Sequence, residues 1–359
     1  MTGKERVVAS LKGQECDHLC WAPVVDRYFT SSMPAQGYEE VDIPEAIIMM
    51  GGDVIERHDP TVKTLYDGGV LRRIERDRDL EREIFGTPVG TLVAERRWAP
   101  WHSSHVTKFP VSTVEDVKIL QYIVEHTRYE EDFEAFRERE RVIGDNGIPT
   151  SSGPLSPIVN FLEDICGVEN TYYLLSDAPD VVEPCLEAMH ENYKDMYRLL
   201  CEGPSVGIFD YEDTSSTIIS PLLFRKHCAP YLDEYAAICH NAGKLYVTHM
   251  CGKLAVFNDQ IRNGLQDGVD SVCPPTTGDL WAHEARRAWG EEKLILGGLE
   301  PAALVRMDIE GTRSYVSRVL EQMPTFRRFI LSTGDATAHG TPLENLRTIA
   351  EVVAAYPWK

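Results

Sequence analysis

Short runs of β-branched and apolar residues recur along the chain, and each is followed by a stretch with helical spacing. The runs expected to be strands are Leu19 to Val25, Asp53 to Glu56, Ser205 to Asp210, Lys244 to Thr248, Val269 to Cys273, Lys293 to Leu296 and Arg328 to Ser332. Apolar residues three and four apart predict helices over Ala178 to Leu200, Pro221 to Ala242, Gly252 to Leu265, Ile309 to Met323 and Pro342 to Ala355. In the last of these, Leu343, Leu346, Ile349 and Val353 form one stripe, and Thr341 with Glu344 reads as a capping box. Ser112 and Glu115 read as another.

Alternation of this kind implies parallel strands with helical crossovers. An open dinucleotide-binding sheet should carry G-x-G-x-x-G after its first strand, and none is present. The number of units and the size predict an α/β fold of the (β/α)8 TIM-barrel type, as one domain over residues 1–359. Residues 70–110 interrupt the pattern. Val70 to Ile74, Gly86 to Gly90 and Thr91 to Trp98 read as a β-hairpin or meander, followed by Pro100 to His102, and are expected to be an insertion near the barrel mouth.

The chain has 359 residues, 43% of them hydrophobic, in an ordinary globular mixture. It carries 36 Lys and Arg against 57 Asp and Glu, a formal charge of −21. That charge repels phosphate backbones and anionic lipid, so neither nucleic acid nor a membrane is expected as a partner. No apolar run approaches the ~20 residues of a bilayer span, and the opening MTGKERVVASLKGQE has no signal-like core. A soluble cytoplasmic protein is expected. The nine cysteines form no C-x-x-C pair and read as thiols.

In a barrel the chemistry sits at the C-terminal ends of strands. His249-Met-Cys251 falls at such an end. In extended chain, residues i and i+2 point the same way, so an imidazole and a thiolate would converge, a donor pair that suits Zn²⁺. A buried His and Cys that merely pack are the alternative. A catalytic zinc needs a third ligand, and Asp335, Cys273, Glu300 and His339 stand near other strand ends. Asp210, Glu212 and Asp213 form an acidic cluster that could act as acid or base, bind a polar substrate, supply a metal ligand or serve only as a solvated loop with helix-capping duty. Asp26 and Arg27 after the first strand, together with Tyr211, are candidates for substrate contact.

With these residues in place, the chain resembles the uroporphyrinogen decarboxylase superfamily, and within it the corrinoid-dependent methyltransferases. The likeness spans RVVASLKGQECDHLCWAPV, FGTPVGTL, ISPLLFRKHCAPYLDEY, YVTHMCGKL, LGGLEPAAL and STGDATAHGTPLENLRTI. The decarboxylase's arginine-rich segment after the first strand is represented by VVDRYFTSSMPAQGYEE, with one arginine, which disfavours a polycarboxylate porphyrinogen. His249 and Cys251 match the methyltransferases' zinc ligands. Their third ligand is a cysteine in a Gly-Cys-Gly context, and Asp335 stands at the matching position here.

The resemblance implies a zinc-dependent methyltransferase working with a separate corrinoid protein. One direction is O-demethylation, in which a methoxylated, aromatic small molecule passes its methyl group to cob(I)alamin and Asp210, Glu212 or His339 protonates the leaving oxyanion. The other is methylcobamide:thiol methyltransfer. A decarboxylase of a small acid and a metal-free binding barrel are the remaining alternatives. The oligomeric state is left open, a homo-oligomer included.

Overall fold

The computed structural model describes residues 1–39, 41–58, 61–99 and 103–357. The expected Pro100 to His102 stretch therefore lies outside the described residues. Thirteen strands are described: β1 (Val54–His58), β2 (Val62–Tyr66), β3 (Leu71–Asp77), β4 (Leu80–Thr87), β5 (Gly90–Trp98), β6 (Ser104–Lys108), β7 (Thr127–Glu131), β8 (Gly147–Ser151), β9 (Gly207–Asp210), β10 (Leu245–His249), β11 (Gly268–Val272), β12 (Leu294–Leu299) and β13 (Phe329–Thr333).

Seven of them form a curled parallel sheet in the order β1-β8-β9-β10-β11-β12-β13. The expected first strand, Leu19 to Val25, does not form a ladder. It is reduced to a parallel bridge between Trp21 and Leu331. Ala22 N donates to Leu331 O, Leu331 N to Cys20 O, and Asp53 N to Trp21 O. This segment thus stands between β13 and the residue that precedes β1, and closes the ring in a TIM-type α/β architecture.

Two apolar layers hold the barrel. The lumen is filled by Ile55, Ile148, Phe209, Val247, Leu296 and Ile330, and Val7 and Leu11 of the helix Gly3–Lys12 belong to the same cluster. The outer layer packs residues such as Ile208, Tyr246, Val269 and Leu331 against the surrounding helices. Each fully buried Leu, Ile or Phe contributes roughly 1.5–3 kcal/mol. Strands buried on both faces carry no hydrophobic alternation, which is why they read as short continuous runs.

Several helices differ from expectation. The predicted Pro221 to Ala242 helix is two, Pro221–His227 and Ala229–Asn241, broken at Cys228. The predicted Gly252 to Leu265 helix shrinks to Ala255–Phe257 and Asn258–Asn263. Gly252 there has φ +82, and Asp279 instead accepts from the backbone N–H groups of Leu254 and Ala255. The helix Leu343–Ala355 is not capped by Thr341, whose hydroxyl donates to Ala338 O; Gln36 accepts from Leu343 N. The other capping box is Thr113 with Asp116, one residue beyond the expected pair. Among the described residues no helix is long and apolar enough to cross a membrane.

The interruption at 70–110 is larger than a hairpin. β3, β4, β5 and β6 form a four-stranded antiparallel sheet, while β2 pairs with β7. Leu92 of β5 is buried, and the sheet contacts the helix Val114–Glu125.

Candidate active site

The alternation of strand side chains decides what reaches the barrel mouth. Ile55, Phe209 and Val247 point into the lumen. Two residues further on, Arg57, Tyr211 and His249 therefore point the same way, one layer higher. All three line a cleft of about 430 Å³ at the C-terminal end of the barrel, together with Asp26, Arg27, Tyr28 and Asp335. Ser103, next to the start of β6, also borders it. A larger groove of about 650 Å³ runs along outer helices past Glu183, Lys226 and Tyr231 and meets no strand end.

His249 lies directly opposite Asp270 across the β10–β11 ladder, with Nδ1 3.1 Å from Asp270 Oδ2. The same carboxylate oxygen accepts from Arg57 Nε at 2.9 Å and Nη2 at 2.6 Å. Burial alone would raise the Asp270 carboxyl, but Arg57 and His249 together hold it well below the usual carboxylate range. The Tyr211 ring lies 5.4 Å from that of His249.

Cys251, two residues beyond His249, donates its thiol to Asp213 Oδ1. Burial, followed by the adjacent Asp213, pushes this thiol well above its ordinary value. Glu163, in the π-helical turn Phe161–Ile165, joins the cluster. Burial and the neighbouring Asp213 lift its carboxyl to about 9. Its Oε1 is buried with no hydrogen-bond partner. Asp335 is also raised, chiefly by burial, and its Oδ1 accepts from Ala336 N at 2.6 Å.

The expected site residues separate into those at the cleft and those held elsewhere. Asp26, Arg27, Tyr211, His249 and Asp335 line it. Asp26 also caps the short helix Arg27–Thr30 by accepting from Phe29 N. His339 packs against Tyr28 at the rim, with ring centroids 4.6 Å apart and the rings tilted by 31°.

Asp210 and Glu212 do not reach the cleft, which corrects their expected roles as acid or base. They flank Tyr211 in sequence, so they face away from it, and both are fully buried. Asp210 accepts from the phenols of Tyr197, 3.1 Å away, and Tyr246. Glu212 accepts from Ser156 N and Oγ, both at 2.6 Å. Cys273 donates to Glu300, which also holds Thr277 and caps the helix Pro301–Arg306. These two pair with each other.

Among the described residues, no three His, Cys, Asp or Glu side chains form a group that could hold a metal ion. His249, Cys251 and Asp335 thus share the barrel mouth without forming a tripod. The contacts run in pairs, His249 with Asp270 and Cys251 with Asp213. The donor chemistry nevertheless suits zinc: an imidazole, a thiol and several crowded carboxyl groups, one with an orphaned buried oxygen.

Arg57, Asp270 and Glu163 were not distinguished by the pattern of residues alone. Arg57 and Asp270 lie at or inside strands, where a charge reads as solvent-facing, and only the curled sheet makes that face a lumen.

Three comparisons bear on this site. The family model described as Uroporphyrinogen decarboxylase (URO-D) matches residues 99–356, well over half of the chain. No curated protein matches. Among solved structures, a methyltransferase from Methanosarcina mazei superposes with a TM-score of 0.62 at 16% identity, covering 99% of this chain and 98% of that one. A B12-independent methionine synthase from Shewanella sp. W3-18-1 covers 86% of this chain and 85% of its own, with 11% identity and a TM-score of 0.47. The first of these likenesses speaks to the fold.

Proposed function

Since the chain belongs to the uroporphyrinogen decarboxylase family, we propose that its cleft transfers a methyl group from a small methoxylated, aromatic molecule to a corrinoid carried by a separate protein. The observation that supports this reading is His249 at the end of β10, lining the cleft, with Cys251 two residues beyond it. The methyltransferase that shares the fold over nearly its whole length agrees with it.

If Cys251 exchanged its contact with Asp213 for a metal, His249 and Cys251 would hold a zinc ion, with an oxygen from Asp335 or Asp213. Bound there, zinc would supply Lewis acidity to the heteroatom that carries the methyl group. The rest of the work belongs to the chain. Tyr211, Asp26 and Arg27 orient the substrate along the cleft wall. His339, at the rim on Tyr28, hands a proton to the departing oxygen, a role that the turned-away Asp210 and Glu212 leave vacant. The open mouth beside Ser103 and β6 admits the corrinoid protein.

The test is zinc-loaded protein with cob(I)alamin and a panel of methoxylated aromatics, read by the spectral change to methylcobalamin. The change should appear with at least one compound and vanish in His249→Ala and Cys251→Ser. No change with any compound counts against demethylation. Consumption of methylcobalamin by a thiol would instead identify the methylcobamide:thiol direction. One observation favours a second reading: two guanidinium groups, Arg27 and Arg57, line the cleft and could face a small carboxylic acid. Carbon dioxide release without any corrinoid would establish that decarboxylase.

A further inference from the structure

The sheet is built irregularly at one point, and the irregularity aims a side chain at His249. Along β11 and β12, pairing passes from Val269–Ile295 to Val272–Gly297, so Asp270 and Ser271 together oppose a single residue, Leu296. This is a β-bulge, a device that re-aims side chains beside active sites. Ser271 adopts φ +78, rare for a residue with a Cβ, and its hydroxyl is tied to Gly334 O at 2.7 Å. The side chain of Asp270 is 1% exposed. Its Oδ2 receives Arg57 from β1 and faces His249 from β10, so one oxygen atom joins three strand ends.

We infer that Asp270, clamped by Arg57, is a positioning residue that fixes which ring nitrogen of His249 bears the proton. Arginine stays protonated and only donates. Its two N–H groups point at Asp270 Oδ2, so that oxygen acts as an acceptor. The nitrogen that faces it, Nδ1 of His249, must therefore donate. In the neutral ring the lone pair is then left on Nε2, the atom available to a ligand or metal. Arg57 acts at one remove: it holds Asp270 in place.

This rests on the proposed metal reading only for its consequence, because the tautomer is measurable in metal-free protein. With ¹⁵N-histidine labelling, long-range proton–nitrogen correlations identify the tautomer of His249, assigned by its loss in His249→Ala. The expected result for the wild type is a proton on Nδ1 and a bare Nε2. In Asp270→Ala no acceptor faces Nδ1 and Arg57 can only donate, so the ring should shift toward the Nε2-protonated form. Zinc affinity should fall ~10–100-fold, as removal of a carboxylate behind a histidine ligand generally does. A wild-type ring protonated on Nε2 overturns the inference, whether or not the variant folds. So does an Asp270→Ala protein with unchanged tautomer and unchanged zinc affinity. Protein that binds no zinc in either form removes the metal reading, while the tautomer still decides the inference.

Discussion

Replacing Glu212 by Gln tests whether this acid belongs to the scaffold or to the chemistry. Its carboxyl is fully buried, and burial lifts it from an ordinary 4.5 to about 7. Between those two values the folded chain holds a proton that the unfolded chain releases. The stabilisation is complete below pH 4.5 and is lost as the pH rises through 7. A tenfold change in proton affinity is worth about 1.4 kcal/mol, so the loss amounts to about 3 kcal/mol. Gln avoids it. The amide oxygen can accept from Ser156 N, and the amide nitrogen can donate to Ser156 Oγ, since a hydroxyl accepts as well as donates. Glu212→Gln should match the wild type near pH 4.5 and be more stable by about 3 kcal/mol at pH 8, with methyl transfer retained. Denaturant unfolding at a series of pH values measures the difference. A variant less stable than wild type at pH 8, or a difference independent of pH, refutes the reasoning; loss of activity in a well-folded variant returns Glu212 to the chemistry.

Other changes probe the frame and the cleft. Arg286 is 2% exposed and donates to four backbone carbonyls, those of Gly290, Lys293, Arg327 and Arg328. Arg286→Ala strands those acceptors and should cost at least about 3 kcal/mol in thermal or denaturant unfolding. A Cβ at Gly334 would stand 2.7 Å from Cys273 Cα and 2.8 Å from its sulfur. Gly334→Ala should therefore displace the adjacent Asp335 and lower turnover at least ~10-fold while unfolding changes less. Tyr211→Ala should raise KM more than it lowers kcat, because Tyr211 lines the cleft 5.4 Å from the His249 ring; an unchanged KM would remove it from substrate contact.

Most of the barrel was legible in the order of its strands. Six of the seven expected runs became ladder strands with shifted ends, and the first survived as the bridge at Trp21. β8, with the sequence GIPTS, escaped notice because a glycine and a proline there read as a turn, yet it is wholly buried between β1 and β9. His249 and Asp335 were visible because ligand-type residues at strand ends stand out in an apolar pattern. The facing of Asp210 and Glu212 was also within reach: their parity is opposite to that of Tyr211. The Asp270 contact was not, because it depends on a bulge and on an arginine 213 residues away in the chain. The pairing of Cys251 with Asp213 likewise arises only when two loop ends meet.

The proposed methyl transfer requires a divalent ion held jointly by His249 and Cys251 at the barrel mouth. Zinc stoichiometry and affinity, measured on protein reconstituted after chelator treatment, test it most directly. One tightly held zinc per chain is expected, lost in both His249→Ala and Cys251→Ser. Wild-type protein that takes up no zinc, or the two variants retaining it as firmly as the wild type, would contradict it.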